Sequence, residues 1–392
     1  MRLDFGVRSK FVSIFLPSLN GGGAERVMVT LANAIAARGY AVDLVLASKQ
    51  GPYLKDIAAN VRLVDLQAGR VIKALLPLAR YLRQRRPEVV LSAMTHANVI
   101  ALLARRLSRV ATRVLISERG LMSGECAIAQ GVPAHVGYWL ARHLYPAADG
   151  IGTVSRAAAN DLANFLKLPI DRVHALNNPF DLERIARLAA ESVPHPWFAH
   201  QQPPLLLAIG RLNEAKDFCT LIRAFAQLRQ TRPARLMILG DGELRAPLEA
   251  LIQECGLTTE DVQMPGFVSN PFAYLSRAHL FVLSSRREGL PGVLIEAMAC
   301  GTPVVSTNCL SGPEEILEGG RWGQLVPVGD VPALAQAMAI TLDTPQEQRP
   351  NVRLRAQDFA QDQAVDAYLR FLGLPAWADG RGAPMTESGP AL

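Results

Sequence analysis

The chain has 392 residues, of which 49 % are apolar and 19 % charged, and a formal net charge of +6. That length allows two or three domains, and the composition excludes a globally disordered chain. Five cysteines with no C-x-x-C pair exclude a disulfide framework and a structural zinc site, and fit a reducing compartment.

The first predicted element is an apolar strand over Phe11 to Leu19. It is too short to span a bilayer and runs into Gly21, Gly22 and Gly23 rather than a small-residue cleavage site, so it reads as a strand and not a signal peptide. No window approaches the roughly 18 apolar residues of a spanning helix, and a cytoplasmic protein is expected. Strand-like runs FVSIFLP, AVDLVLA, EVVLSAM, RVLISE and GIGTVS follow one another in the first half. PLLLAIG, RLMILG, DVQMPG, LFVLSS and PVVST do so in the second half, most of them followed by helical periodicity. The pattern predicts an α/β protein with two domains, each a parallel sheet with crossover helices.

The expected divisions are a first domain over 1–190, a linker at 191–204 (ESVPHPWFAHQQPP, four prolines) and a second domain over 205–350. A single helix is expected over 351–372, then a disordered tail at 373–392. No solenoid period is present.

Charge is divided unevenly. Residues 1–200 hold 25 Lys and Arg against 14 Asp and Glu, and the remainder holds 16 against 21. Arg80, Arg83, Arg85 and Arg86 close an amphipathic run, and Arg105, Arg106, Arg109 and Arg113 follow. A basic amphipathic helix suits an anionic membrane surface, although arginines also favour any solvated helix C-terminus. Nucleic acid is excluded as a partner, because no helix-turn-helix, RNA-recognition or zinc-finger pattern occurs and aromatics are sparse.

The glycines and carboxylates narrow the chemistry. Gly21, Gly22 and Gly23 let the backbone turn sharply after the first strand and approach an anion at a helix N-terminus. A dinucleotide-binding fingerprint fails, because its third glycine would be Arg26 and its acidic residue, Asp43, sits inside a strand. No Gly-Lys pair exists, which removes a Walker A loop. In the second half, Arg211 and Lys216 flank a strand-to-helix turn where two cations would meet a diphosphate or merely solvate a loop. SSRREGLPGVLIEAMACGTPVVST (284–307) then predicts a strand, a loop with Glu288, a helix from Pro291 to Cys300 and a Gly301 cap. Glu288 and Glu296 would face a ligand at that helix start, with the backbone N–H groups of 289–292 around phosphate.

These segments resemble glycosyltransferase family 4, the retaining sugar-nucleotide transferases of GT-B architecture. GGAERV, G-R-L-x-x-x-K at 210–216, KDFCTLIRAFAQL, ILGDGELRAPLE at 238–249, GFV at 266–268 and E-x7-E from Glu288 to Glu296 carry the likeness over nearly the whole chain. The resemblance implies two Rossmann-like domains facing across a cleft that holds donor and acceptor, with the C-terminal helix packing back on the N-terminal domain. It implies that Arg211 and Lys216 clasp the donor diphosphate, and that Glu288 with Gly289, Leu290 and Pro291 binds sugar hydroxyls. Glu296 would take the ribose, and Gly266, Phe267 and Val268 the base, most often uracil or guanine.

His96 matches the position of an active-site histidine near the transferred sugar, or is a helix-start residue capped by Thr95. Glu118 and Arg119, at another strand end, are candidate acceptor contacts or a surface ion pair, alongside the Gly21–Gly23 loop. S-G-P-x-E-I-L from Ser311 favours a UDP-N-acetylhexosamine donor, though Pro313 is also ordinary capping chemistry. No Asp-x-Asp pair exists to hold a diphosphate-bound cation, so no divalent metal and no cofactor is expected, and protein cations supply the charge.

The expected product is an α-linked hexosyl unit on a lipid-linked or polyanionic glycan at the inner face of a membrane. The alternatives are a nucleotide-sugar epimerase of similar fold, which would show no acceptor dependence, and a non-catalytic nucleotide-sugar-binding subunit.

Overall fold

The computed structural model describes residues 11–20, 22–129, 131–198 and 202–375, so Gly21 and residues 376–392 of the expected tail lie outside the described residues. The tail's first residues are instead ordered, with Leu374 buried in the core. Two parallel sheets carry the fold. The first contains β1 (Phe11–Leu16), β2 (Ala41–Leu46), β3 (Val61–Asp65), β4 (Val89–Ala93), β5 (Arg113–Ser117), β6 (Gly150–Thr153) and β7 (Val173–Ala175). Their order is β3-β2-β1-β4-β5-β6-β7, and β1 sets Ile14 beside Leu44 of β2 and Leu91 of β4.

Parallel strands covered by helices on both faces need apolar residues at nearly every position, and FVSIFL supplies them. Val12, Ile14 and Leu16 enter the core on one face, Phe15 the core on the other. Ser13 is the polar exception. Its hydroxyl meets Tyr81 Oη at 2.7 Å, and Tyr81 donates to the buried Asp43 carboxylate at 2.8 Å. Asp43 is thus consumed inside the sheet and has no ribose to meet. Helices α2 (Leu75–Arg85), α3 (Thr95–Ser108), α4 (Met122–Ile128), α5 (Val132–Leu144) and α6 (Arg156–Leu166) cover the Phe15 face, and α1 (Gly23–Ala37) covers the opposite one.

The second sheet contains β8 (Leu205–Ile209), β9 (Arg235–Leu239), β10 (Val262–Gly266), β11 (Leu280–Leu283), β12 (Val304–Thr307) and β13 (Gln324–Val326), ordered β10-β9-β8-β11-β12-β13. Its helices include α7 (Leu182–Ala189), α8 (Phe218–Arg229), α9 (Arg245–Glu254), α10 (Pro271–Leu275) and α11 (Gly292–Cys300). Counted from its own first strand, each sheet runs 3-2-1-4-5-6, the doubly wound order, and the first adds one strand. Order reverses between β1 and β4 and between β8 and β11. Ligands of such sheets bind outside the strand carboxyl ends at that reversal.

The chain divides into one unit of residues 1–154, 158–179 and 361–392 and a second of 155–157 and 180–360. Residues 180–190, expected in the first domain, therefore belong to the second. The described part of the proline-rich stretch is likewise no free linker. Trp197 is buried in the second unit with the Arg235 guanidinium 4.9 Å from its ring centroid.

The helix expected over 351–372 is broken in two, Val352–Gln357 and Gln361–Phe371. Between them Phe359 accepts from the Phe180 amide at 3.3 Å and Ala360 bridges Phe180, which takes the backbone out of helical pairing. Gln361–Phe371 buries Val365, Tyr368 and Leu369 in the first unit, and Arg38 of the same unit pairs with Asp362 at 2.9 Å and with Asp366. Among the described residues no helix is long and apolar enough to cross a membrane.

Candidate active site

The loop after β8 begins at Gly210 and ends at Asp217, which caps α8 by accepting from the Thr220 N–H at 3.4 Å and also accepts from the Thr220 hydroxyl at 2.8 Å. A second loop holds it from beneath. Gly210 N–H donates to Leu239 at 2.9 Å, Leu212 N–H to Asp241 at 3.0 Å, and Leu244 N–H to Leu212 at 3.0 Å. The fit is too close for a side chain: a Cβ on Gly240, whose φ is +135°, would lie 2.0 Å from the Gly210 carbonyl oxygen. ILGDG therefore shapes the 210–216 loop from below.

At the reversal beside it, the loop after β11 brings Glu288 to Lys216. Lys216 Nζ donates to Glu288 Oε1 at 2.5 Å, and Ser285 Oγ donates to the same oxygen at 2.6 Å. Ser284 Oγ donates to the Lys216 carbonyl at 2.8 Å, which fixes the lysine backbone as well. The side chains are 21 % and 12 % exposed, so the pair is shielded yet reachable. Two residues read from sequence as gripping different parts of a ligand are a single ion pair.

α11 starts at Gly292, with Pro291 at its cap and no side chain satisfying its first turn, and ends at Gly301 in the left-handed region. The expected N–H donors at 289–292 need one correction: Pro291 has no N–H, which leaves Gly289, Leu290 and Gly292. Glu296 is half-buried further along α11. The Ser311–Gly312 segment braces this loop. Ser311 Oγ donates to the Gly289 carbonyl at 2.6 Å, and a Cβ on Gly312 would lie 2.3 Å from Pro291 Cδ.

Arg211 stands apart from the pair. Its side chain is 71 % exposed and its Nε meets Glu243 at 3.2 Å. Gly266, at φ +91°, ends β10 and gives its carbonyl to the Gly240 amide at 2.8 Å, and the Phe267 ring projects 84 % exposed.

In the first unit, the reversal between β1 and β4 presents Gly22, Gly23 and His96. Gly22 has φ −76°, so at the described positions the loop uses no left-handed turn; its missing side chain instead gives room to the Glu25 carboxylate. Met94, φ +77°, kinks the chain into α3, a strained conformation for a residue with a side chain. His96 follows it, exposed, and desolvation by surrounding protein lowers its pKa below 6.5, so the imidazole is neutral at pH 7.

Thr95 does not cap α3. Its hydroxyl donates to Glu118 at 3.1 Å. Glu118 also accepts from Asn98 Nδ2 at 3.1 Å and from Tyr145 Oη, and is 3 % exposed. Burial pushes its carboxyl up to about 7, against the lowering effect of those hydrogen bonds. Arg119 turns inward as well, donating to Asn178 and, at 3.2 Å, to Tyr368 Oη. The two do not form the surface ion pair that was one of the two sequence readings, and Glu118 is buried at its strand end.

Two family models cover most of the chain in succession: Glycosyltransferase Family 4 over residues 21–184 and Glycosyl transferases group 1 over 203–344. The chain belongs to glycosyltransferase family 4. It is a glycosyltransferase of GT-B type.

This glycosyltransferase is 29 % identical over 373 residues to the N-acetylgalactosamine-N,N'-diacetylbacillosaminyl-diphospho-undecaprenol 4-alpha-N-acetylgalactosaminyltransferase of Campylobacter jejuni, covering 92 % of this chain and 99 % of the relative. It is 26 % identical over 376 residues to a second transferase of that organism, GalNAc-alpha-(1->4)-GalNAc-alpha-(1->3)-diNAcBac-PP-undecaprenol alpha-1,4-N-acetyl-D-galactosaminyltransferase, covering 92 % and 98 %. Among solved structures, Anabaena Alr3699/HepE in complex with UDP shares the fold, with TM-score 0.76, 20 % identity and coverage of 93 % and 99 %.

In this family 4 enzyme, sequence reasoning missed Ser285 and the Glu118 partners Asn98 and Tyr145, and it read Gly240 and Ser311–Gly312 as motif residues without the contacts they make. Only the doublet Ser284–Ser285 before Glu288 carried a local signal, because the other contacts join segments distant in sequence.

Proposed function

We propose that the enzyme transfers an N-acetylhexosamine unit from UDP to a lipid-linked glycan, with retention at the anomeric carbon and without a divalent metal. The observation that carries this reading is the Lys216–Glu288 pair beside the uncapped start of α11, at the strand reversal of the second sheet. An ammonium and backbone N–H groups there suit a diphosphate, whose charge grows as the bond to the sugar breaks. Glu288 cannot leave Lys216 without a substitute anion, and a donor phosphate is such an anion. The carboxylate is then released to sugar hydroxyls.

Retention without a protein nucleophile needs attack on the face the leaving group vacates. The acceptor hydroxyl bonds to the anomeric carbon as the carbon–oxygen bond to phosphate breaks, and its proton passes to the departing phosphate oxygen. Neutral His96 offers a hydrogen bond rather than a charge. Glu288 and Glu296 do not flank one bond as a glycosidase pair does. The donor and acceptor classes draw support from the two Campylobacter relatives, named as N-acetylgalactosaminyltransferases of diphospho-undecaprenol substrates, and from the UDP complex of the structural neighbour.

The test is a donor screen by thermal shift, then transfer to an undecaprenyl-diphosphate-linked amino sugar with NMR of the product anomer. A UDP-N-acetylhexosamine should give an α product, and turnover should survive EDTA. A β product, a GDP-sugar preference, or activity lost to EDTA and restored by Mg²⁺ contradicts the corresponding part.

A further inference from the structure

The first unit is asymmetric in what it shows to solvent. α2 to α5 all pack into the Phe15-face core, and α1 with Gln361–Phe371 packs into the other. Ile72, Leu76, Val132, Val136 and Trp139 are all exposed on the α2–α5 side, whereas α1 and Gln361–Phe371 expose no large apolar side chain. On α5, Val132, Val136 and Trp139 recur at helical spacing, forming one outward stripe while Ala141 faces the core. Trp139 is 59 % exposed, and with Val132, His135 and Val136 it lines a shallow groove of about 500 Å³.

The charge of the same layer is one-sided. Residues 66–148 hold twelve Lys and Arg against three Glu, one of which is the buried Glu118. The structure divides the arginines singled out by sequence. Arg83 donates to the Leu107 carbonyl at 2.7 Å, Arg85 pairs with Asp43 at 3.4 Å, and Arg105 pairs with Asp149 at 2.7 Å. Arg70, Lys73, Arg80 and Arg106 are exposed and make no ion pair among the described residues. Lys73 adjoins Ile72, so cation and apolar group are side by side. α3, which carries Arg106, packs against both α2 and α5, so the α5 stripe with its indole and the unpaired cations belong to one helical layer. Such a layer matches the headgroup region of an anionic bilayer, where Trp is favoured and basic residues are attracted.

We propose that this face, α5 together with Val71–Arg85, docks on an anionic membrane, with Val136 and Trp139 at the acyl boundary and Arg70, Lys73 and Arg106 over the headgroups. The proposal deepens the lipid-linked acceptor reading, since it supplies the surface that would hold the enzyme where such an acceptor lies.

The full chain is sedimented with phosphatidylcholine vesicles, with and without phosphatidylglycerol, in the absence of donor. Binding to the anionic vesicles should weaken with salt. The double substitution Val136→Ser with Trp139→Ser should lower it about tenfold or more, and Lys73→Gln with Arg106→Gln should do the same by removing about fivefold per charge. UDP binding reports that the variants are folded. Brominated phosphatidylcholine probes the unaltered protein directly, and should quench its tryptophan emission far more than that of Trp139→Phe.

Vesicle binding unchanged in both double variants, or equal on neutral lipid with no salt response, overturns the proposal. So does a dimer that the Val136 and Trp139 substitutions split without affecting vesicle binding, because the face is then an interface between copies. Vesicle binding without any transfer activity would reject the acceptor reading and leave the membrane face intact.

Discussion

Lys216 and Glu288 make opposite demands on each other. Together they neutralise a shielded spot; apart, each leaves a charge with poor solvent access, a defect worth about 3 kcal/mol at most for a partly exposed pair. Glu288→Ala is expected to lower kcat by at least about 100-fold while changing the donor Kd by less than about tenfold, because the freed lysine still meets phosphate. Equal losses in kcat and Kd would mean that the carboxylate only shapes its loop.

Glu118 makes the fold sensitive to pH. Its folded pKa, about 7, lies above the ordinary 4.5, so between those values the folded protein holds more protons than the unfolded chain. Stability should therefore fall as pH rises from about 4.5 to about 7, by about 3 kcal/mol in all. Glu118→Gln should flatten that slope, as measured by urea unfolding across the range. An unchanged slope would mean that Glu118 is ionised throughout. Glu288 was legible from sequence because its motif is local. The orientation of Glu118 was not, since nothing in RVLISERG distinguishes a carboxylate facing outward from one facing Thr95 and Tyr145.

Loops of the second unit are set by glycines that let two backbones touch. Gly240→Ala would force a side chain onto the Gly210 carbonyl in a conformation that disfavours it, at a cost of about 2 kcal/mol or more. Gly256→Ala is the control, since its φ of +71° carries strain but nothing lies within 4 Å of the added carbon. Thermal melts should rank Gly240→Ala well below Gly256→Ala, and UDP titration should weaken only for Gly240→Ala, through displacement of the 210–216 loop. Equal effects would mean that backbone strain, not the close approach, dominates. The predicted loop and helix over 286–300 matched the structure because capping chemistry is local, Pro291 opening the helix and Gly301 ending it, while the strand stops at Leu283, two residues before its expected end. The brace from Ser311 and Gly312 was missed for the opposite reason, as it joins the start of α11 to a loop beyond β12.

Across the whole molecule, two rounds of strand and helix were legible because a sheet covered on both faces writes unbroken apolar runs into the sequence. The path between the two units was not. VRLRAQDFAQDQAVDAYLRFL has continuous helical periodicity, yet Phe359 and Ala360 spend their backbone on Phe180, and the residues beyond rejoin the first unit. Deleting residues 361–392 should therefore destabilise the first unit, which loses Val365, Tyr368 and Leu369 from its core, and leave the second intact. Limited proteolysis should then cut first within residues 11–179; cleavage confined to 180–360 would contradict the assignment.

We propose that the second unit grips a nucleoside diphosphate through Lys216 and the start of α11. Calorimetric titration of UDP into the full chain and into Lys216→Ala tests it most directly. Saturable binding to the unaltered enzyme is expected, weakened by about tenfold or more when the ammonium is removed. Equal affinity in the two proteins would contradict it.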